Sequence, residues 1–304
     1  MTLREILGDI KSDRKKKVIL DTDTFNEVDD QYALAYCYLS DKIDLMAVHA
    51  APFHNERSES YADGMEKSYN EIHRILKLTD PEYTTPVFKG STERISDTKT
   101  PVESPACDNL IKTVRASDEI VYVLAIGAIT NVSSAILKAP DIKNNMCVIW
   151  LGAHELDFDS IYEFNLRQDL AAAQHFINSG VPMLLCPACC VTYHLQADIE
   201  MIHQLYGNNR LCDYLASITE QCYIDDGQPE NWTRIIWDIA APAVIDRPEC
   251  EEIEIIKAPV FTDEYKHAFD STRHEIMYLR RINKDIVFEN TWKLLKTLNK
   301  GETL

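Results

Sequence analysis

Short apolar runs rich in β-branched residues punctuate the chain: VILDT at 18–22, IDLMAVHA at 43–50, IVYVLAIG at 120–127, MCVIWLG at 146–152 and VPMLLCP at 181–187. Between them, residues 29–39, 60–77, 130–138 and 167–179 carry apolar positions at helical spacing. This alternation predicts an α/β fold, a parallel sheet wrapped by helices. The runs are almost continuously apolar, as strands covered on both faces should be. Beyond Pro187 the pattern is less regular and predicts helices over 199–225 and 234–246, strands over 253–261 and 274–282, and a closing helix over 286–298. No internal repeat and no Gly/Ser linker breaks the chain, so residues 1–304 are read as one domain built on a mostly parallel open sheet.

Ligands of such sheets bind beyond the carboxyl ends of the strands. The functional search therefore narrows to Asp21–Asp30, Gly127–Asn131, Gly152–Asn165 and Pro187–His194. The first of these places Asp21, Asp23, Asp29 and Asp30 at one strand-to-helix crossing. Carboxylates this close repel, and an apolar neighbourhood raises the cost, which favours a cation or a catalytic role in the gap. Acidic residues in a helix's first turn complement its dipole, which accounts for Asp29 and Asp30 but leaves Asp23 unexplained. Oxygen ligands suit Ca²⁺ or Mg²⁺. An EF-hand loop is excluded, because its sixth position would be Asn26 and its twelfth Tyr32. A cation here must collect further ligands from elsewhere in the chain.

Four segments, in order, resemble the inosine-uridine preferring nucleoside hydrolase family. DTDTFNEVDDQYAL resembles its amino-terminal signature DxDPGxDDAxAL, with two more residues between the DxD and the DD. GAITNV at 127–132 resembles GPLTNV, EFNLRQDLAAAQHFINSG at 163–180 resembles EFNIxxDPEAAxxVxxSG, and IIWDIAAPAVI at 235–245 resembles the HDPxAVA segment. The resemblance spans roughly residues 17–246 and implies a Rossmann-like fold and Ca²⁺-dependent hydrolysis of the N-glycosidic bond of ribonucleosides. It further implies that Asp23, Asp30, Asp238 and the backbone carbonyl of Thr130 hold the Ca²⁺, with Asp21 supporting them. Asp29, Glu163 and Asn165 would bind ribose hydroxyls, and Asp23 would take a proton from the attacking water.

Several positions depart from the family pattern. Trp237 stands where pyrimidine-accepting and nonspecific members carry a His; purine-preferring members carry Trp there, which implies a base-stacking platform and purine preference, a place in the core being the other reading. Asp157 replaces an Asn, and an ionised Asp accepts hydrogen bonds without donating any, which alters what the O5′ end of a substrate meets. The family's GN appears as Ala51-Pro52 in HAAPFHN, and its VHG has no counterpart near 104–112. His49, His54 and His154 fall near strand ends, where a structural or a pocket-facing role is open. Asn55, Glu56 and Arg57 are expected on a loop over the site, and Tyr223 and Trp232 are either base contacts or packing residues.

Composition narrows the partners. With 31 basic against 49 acidic residues the net charge is -18, which repels phosphate backbones and anionic membranes. The basic run Arg14 to Lys17 has no interleaved aromatic residue to stack a base. A small ribonucleoside, rather than a nucleic-acid polymer or a membrane, is the expected partner, and the family's habit implies a homodimer or homotetramer. No stretch approaches the ~20 apolar residues of a membrane span, and the start lacks a signal-peptide core. The nine cysteines are odd in number, and CPACC has no second CxxC beside it, so Cys186, Cys189 and Cys190 are read as buried free thiols in a reducing cytoplasm. Two rival readings remain. One is a catalytically silent Ca²⁺ and ribose-binding homologue. The other is a haloacid-dehalogenase-type phosphatase, whose DxDxT loop DTDT resembles but whose later Ser or Thr, Lys and acidic pair are not evident.

Overall fold

The computed structural model describes residues 1–298. Seven strands run parallel: β1 (Lys16–Thr22), β2 (Ile43–Ala50), β3 (Val87–Lys89), β4 (Val121–Ala125), β5 (Met146–Leu151), β6 (Met183–Cys186) and, late in the chain, β12 (Glu275–Ile282). Between the last two lie β7 (Gln196–Asp198), β8 (Thr233–Ile235), β9 (Glu251–Lys257), β10 (Val260–Phe261) and β11 (His267–Ala268). The large sheet has the order β3-β2-β1-β4-β5-β6-β12-β9, with β9 antiparallel at its edge, while β7–β8 and β10–β11 form two small antiparallel ribbons. The expectation of a mostly parallel open sheet is met.

Alternate residues of each central strand enter opposite cores, which is why the strands read as unbroken apolar runs. Val18, Leu20, Tyr122, Leu124 and Ile149 pack on one face. Ile19, Val121, Val123 and Val148 pack on the other. The helices are α1 (Leu3–Ile10), α2 (Asp30–Leu39), α3 (Tyr61–Thr79), α4 (Pro105–Ala116), α5 (Thr130–Lys138), α6 (Phe164–Gln168), α7 (Leu170–Asn178), α8 (Ile199–His203), α9 (Arg210–Asp225), α10 (Ala240–Asp246) and α11 (Lys284–Lys296). Buried residues of α2, α9, α10 and α11 cover the first face, and those of α4, α5 and α7 cover the second.

Local chemistry explains where the elements depart from the periodicity. The stretch 167–179 is divided because Asp169 caps α7, its carboxylate accepting from Ala172 N. The stretch 199–225 is two helices, parted by a turn with Gly207 at φ 74° and by Asn209, which caps α9. The helix expected over 234–246 is a strand, β8, then a tight turn at Trp237–Ile239, then α10, because residues 233–235 pair with β7. The strand expected over 253–261 stops at Lys257, before Pro259, which has no N–H to offer a ladder. Five elements had no counterpart in the pattern: α1, with its Thr2–Glu5 capping box; α4, begun by Ser104 and Pro105; and the short strands β3, β7 and β11.

From β1 the chain steps outward through β2 to β3, then returns to place β4 on the other side of β1. This reversal opens a crevice at the carboxyl ends of β1 and β4, the position where open α/β sheets hold ligands.

Candidate active site

A cavity of about 240 Å³ opens in that crevice, lined by the acidic group Asp23, Asp29, Asp30 and Asp238 and by Glu163, Asn165, His154 and Tyr162. The acidic group is built from two distant segments. At the end of β1 the backbone turns, with Asn26 N donating to Asp23 O at 2.7 Å, and six positions after Asp23 it delivers Asp29 and then Asp30 to the start of α2. Asp238 arrives from the opposite side on the turn after β8. Gly127, at the end of β4, permits the approach: a Cβ there would lie 2.9 Å from Asp23 Oδ1.

All four carboxylates are buried. Oxygen atoms of Asp29, Asp30 and Asp238 lie within 4.8 Å of one another. Asp29 occupies the cap position of α2 but makes no side-chain cap bond, so capping does not engage its carboxylate. Both Asp23 oxygens are buried without a hydrogen-bond partner. Burial, then repulsion from Asp30 and Asp29, drives the Asp23 pKa well above the usual carboxylate range. Burial, then Asp29, Asp30 and Asp23, does the same to Asp238. Burial also pushes Asp30 up to about 7, although the Thr22 hydroxyl donates to it. Four buried oxygen donors, burdened first by burial and then, for Asp23 and Asp238, by mutual repulsion, suit a hard divalent cation. The compact trio therefore could hold a metal ion, and it differs from the set implied by the resemblance in having Asp29 where that set has Asp23.

Asp21 sits beneath this group, off the cavity. Its Oδ2 accepts from Asn131 Nδ2 at 2.9 Å, and the same nitrogen reaches Ala50 O at 3.3 Å, tying β1, β2 and α5 together. Burial pushes Asp21 up to about 7. Thr130, at the start of α5, is fully buried, is not among the lining residues, and donates its hydroxyl to Asp169 at 2.8 Å.

Glu163, also on the lining, precedes α6 and accepts three backbone N–H groups, from Ala153 at 3.0 Å, Asn165 at 2.8 Å and Leu166 at 3.0 Å. Burial raises its pKa to about 7 against the pull of those bonds. Asn165 donates its side-chain nitrogen to Ile126 O and Leu151 O, at 3.1 and 3.0 Å, which leaves its Oδ1 as the atom to meet a ligand. Trp237 is half-buried on the cavity wall, its ring 6.0 Å from that of Tyr193.

Other expected residues are placed elsewhere. Asp157 is exposed on the loop after β5 and does not line the cavity. His49 is buried and bonded to Asn109 at 2.8 Å. His54 is exposed, and Tyr223 and Trp232 pack on each other at 5.4 Å, away from the lining. Of the three histidines, His154 reaches the cavity, and its Nδ1 accepts weakly from Cys189 N at 3.4 Å. Asn55 and Arg57 lie against the acidic loop, donating to Asn26 at 2.7 Å and to Phe25 O at 3.4 Å. The reading of three buried thiols holds for Cys186; Cys189 is half-buried on the cavity wall and Cys190 is exposed, because the chain leaves β6 for a surface turn in which Cys190 takes φ 70°.

Sequence reasoning missed Tyr162, Phe164, Asn26, Glu27 and Cys189 as lining residues. Tyr162 and Phe164 flank Glu163, and Glu27 lies inside the acidic signature, so adjacency to those motifs was the available signal. Among the described residues, no lysine lines the cavity, so the phosphatase reading lacks its cation there. Among the described residues, no helix is long and apolar enough to cross a membrane.

The sequence model of the inosine-uridine preferring nucleoside hydrolase family matches residues 18–283. A plant nucleoside hydrolase superposes with a TM-score of 0.75 at 16% identity, covering 93% of this chain and 99% of that one. A purine-preferring ribonucleoside hydrolase from Gardnerella vaginalis gives 0.75 at 20% identity, with coverage of 93% and 100%. An inosine-uridine preferring nucleoside hydrolase from Bacillus anthracis gives 0.67 at 18% identity, again with coverage of 93% and 100%. A curated but uncharacterized protein of Schizosaccharomyces pombe is 29% identical over 108 residues, so the match spans only 34% of this chain and 34% of that relative.

Proposed function

The chain belongs to the inosine-uridine preferring nucleoside hydrolase family, and from that premise we propose that it hydrolyses the N-glycosidic bond of a ribonucleoside in a reaction that requires Ca²⁺. The observation that carries this reading is the convergence of Asp23, Asp29, Asp30 and Asp238 on one cavity, with both Asp23 oxygens unpartnered. Asp30, Asp238 and Asp23 or Asp29 would hold the ion, with the Thr130 carbonyl as a further candidate ligand. A bound divalent cation supplies the charge that keeps these groups ionised and Lewis acidity toward a water.

The residues then divide the work. Asp23, free of other hydrogen bonds, takes the proton of the water that adds to C1′. The C1′–N bond breaks, its electron pair leaves with the base, and the base takes up a proton from solvent, to which Asp23 returns its own. Positive charge developing on the ribose is favoured by Glu163, and Asn165 Oδ1 accepts from a ribose hydroxyl to fix the ring. Asp29 serves either the ion or a ribose hydroxyl; the two roles are compatible, since a carboxylate has two oxygens. Trp237 offers a flat face to the departing base, which supports purine preference, stacking being worth roughly 1 to 3 kcal/mol per base.

A panel of purine and pyrimidine nucleosides, assayed for free reducing sugar with and without a chelator, tests bond type, base preference and metal dependence together. The expected result is sugar release that the chelator abolishes, faster from inosine than from uridine. Tight nucleoside binding without sugar release would replace this reading with a silent binding protein.

A further inference from the structure

The loop between Asp23 and Asp29 is the one place where the acidic signature is two residues longer than the family pattern. It contains Glu27, which lines the cavity. Arg234 Nη2 donates to Glu27 Oε2 at 2.5 Å across a sequence separation of 207 residues. The two side chains are only 26% and 39% exposed, so this pair is partly withdrawn from the screening that weakens surface ion pairs. Arg234 lies in β8, three residues before Trp237 and four before Asp238. The same loop is held from its other side by Asn55 and Arg57, and Gln31 Nε2 reaches Glu27 O at 3.4 Å. Arg234 Nε is buried without an acceptor, so the guanidinium engages Glu27 with one arm and keeps a second donor in reserve for a bidentate grip.

We propose that Glu27 and Arg234 form a latch joining the lengthened acidic loop to the strand that carries Trp237 and Asp238, so that the two halves of the site keep one geometry. Arg234 does not line the cavity and acts as a positioning residue. Burial, then Glu27 and Asp30, raises the Asp29 carboxyl well above its usual range, and the Arg234 charge opposes that rise without reversing it. The part of the proposal that concerns substrate rests on the nucleoside hydrolase reading; the part that concerns the cation does not.

The test uses the full chain and Ca²⁺ alone, titrated by calorimetry, in Glu27→Gln, Arg234→Gln and the exchange Glu27→Arg with Arg234→Glu. A latch makes both single variants bind Ca²⁺ about tenfold more weakly, and the exchange recovers affinity to within about threefold of native. Charge alone predicts opposite signs, weaker binding in Glu27→Gln and tighter binding in Arg234→Gln. That outcome, an exchange no better than the single variants, or a native chain that binds no Ca²⁺ overturns the latch. In the two single variants KM for the best nucleoside rises about tenfold while kcat stays within about threefold of native, and the exchange recovers KM. Absence of nucleoside turnover by the native chain would overturn the hydrolase reading and leave the Ca²⁺ comparison to decide the latch. Circular dichroism identifies folded variants; if Arg234→Gln fails to fold, the exchange decides, recovery to within about threefold of native supporting the latch and affinity no better than that of Glu27→Gln overturning it.

Discussion

Asp23 carries two buried oxygens that accept no hydrogen bond, beside three other buried carboxylates. An arrangement of this kind costs folding free energy and persists where function uses it. Asp23→Asn is expected to lower kcat by about 10² to 10⁴, the range of a lost general base, while the cation-free melting temperature does not fall, since one mutually repelling charge has been removed. Steady-state kinetics beside thermal denaturation checks both halves, and near-native kcat removes Asp23 as the base. Trp237→Ala should weaken a purine nucleoside by roughly 1 to 3 kcal/mol and a pyrimidine by less, read from kcat/KM for inosine and uridine. Equal losses for the two would assign Trp237 to packing.

Among the elements, β9 closes the sheet as its one antiparallel edge and begins at Glu251, whose carboxylate oxygens are both buried and unpartnered. Burial pushes this group from 4.5 up to about 8. The folded chain therefore keeps a proton that the unfolded chain has lost between those two values, so stability falls as pH rises through that window and levels off above it. Glu251→Gln should flatten this dependence and raise stability at pH 8 relative to the native chain, while leaving it little changed near pH 4.5, as urea unfolding at the two pH values would report. A second element-level constraint lies just after β3, where a Cβ on Gly90 would sit 2.0 Å from Ala50 O and 2.5 Å from Asn131 Nδ2. Gly90→Ala is expected to cost about 1 to 3 kcal/mol, the usual range for overpacking, because backbone and the Asn131 bond to Asp21 must shift together. An unchanged denaturation midpoint would show that this junction can relax.

For the whole molecule, cation and fold should be linked. An ion that binds the folded chain and not the unfolded one stabilises it by about 2.7 kcal/mol at a hundredfold excess over Kd. Added Ca²⁺ should raise the melting temperature, a chelator should lower it, and Asp238→Asn should blunt both shifts. A melting temperature indifferent to Ca²⁺ and chelator would count against the metal reading. The net charge of -18 acts in the same sense, since a cation relieves some of the self-repulsion of the compact state and the field excludes anionic partners.

Periodicity in the one-dimensional chain was enough for the parallel α/β sheet and the strand-end location of the cavity, and the resemblance of four ordered segments to the family implied the grouping of Asp23, Asp29, Asp30, Glu163, Asn165 and Asp238, all of which line it. These are legible because apolar spacing reports local backbone geometry and because strand ends in such sheets converge by topology. Tertiary packing alone decided which side chains turn inward. It left Asp157 exposed, placed Asp29 rather than Asp23 in the compact trio, turned Cys189 to the cavity and paired Glu27 with Arg234. It also made elements of α1 and α4, which cover sheet and helix surfaces that no local pattern advertises. Distances across the chain and the direction of a side chain on a loop follow from how the layers close, and spacing along the sequence carries no record of either.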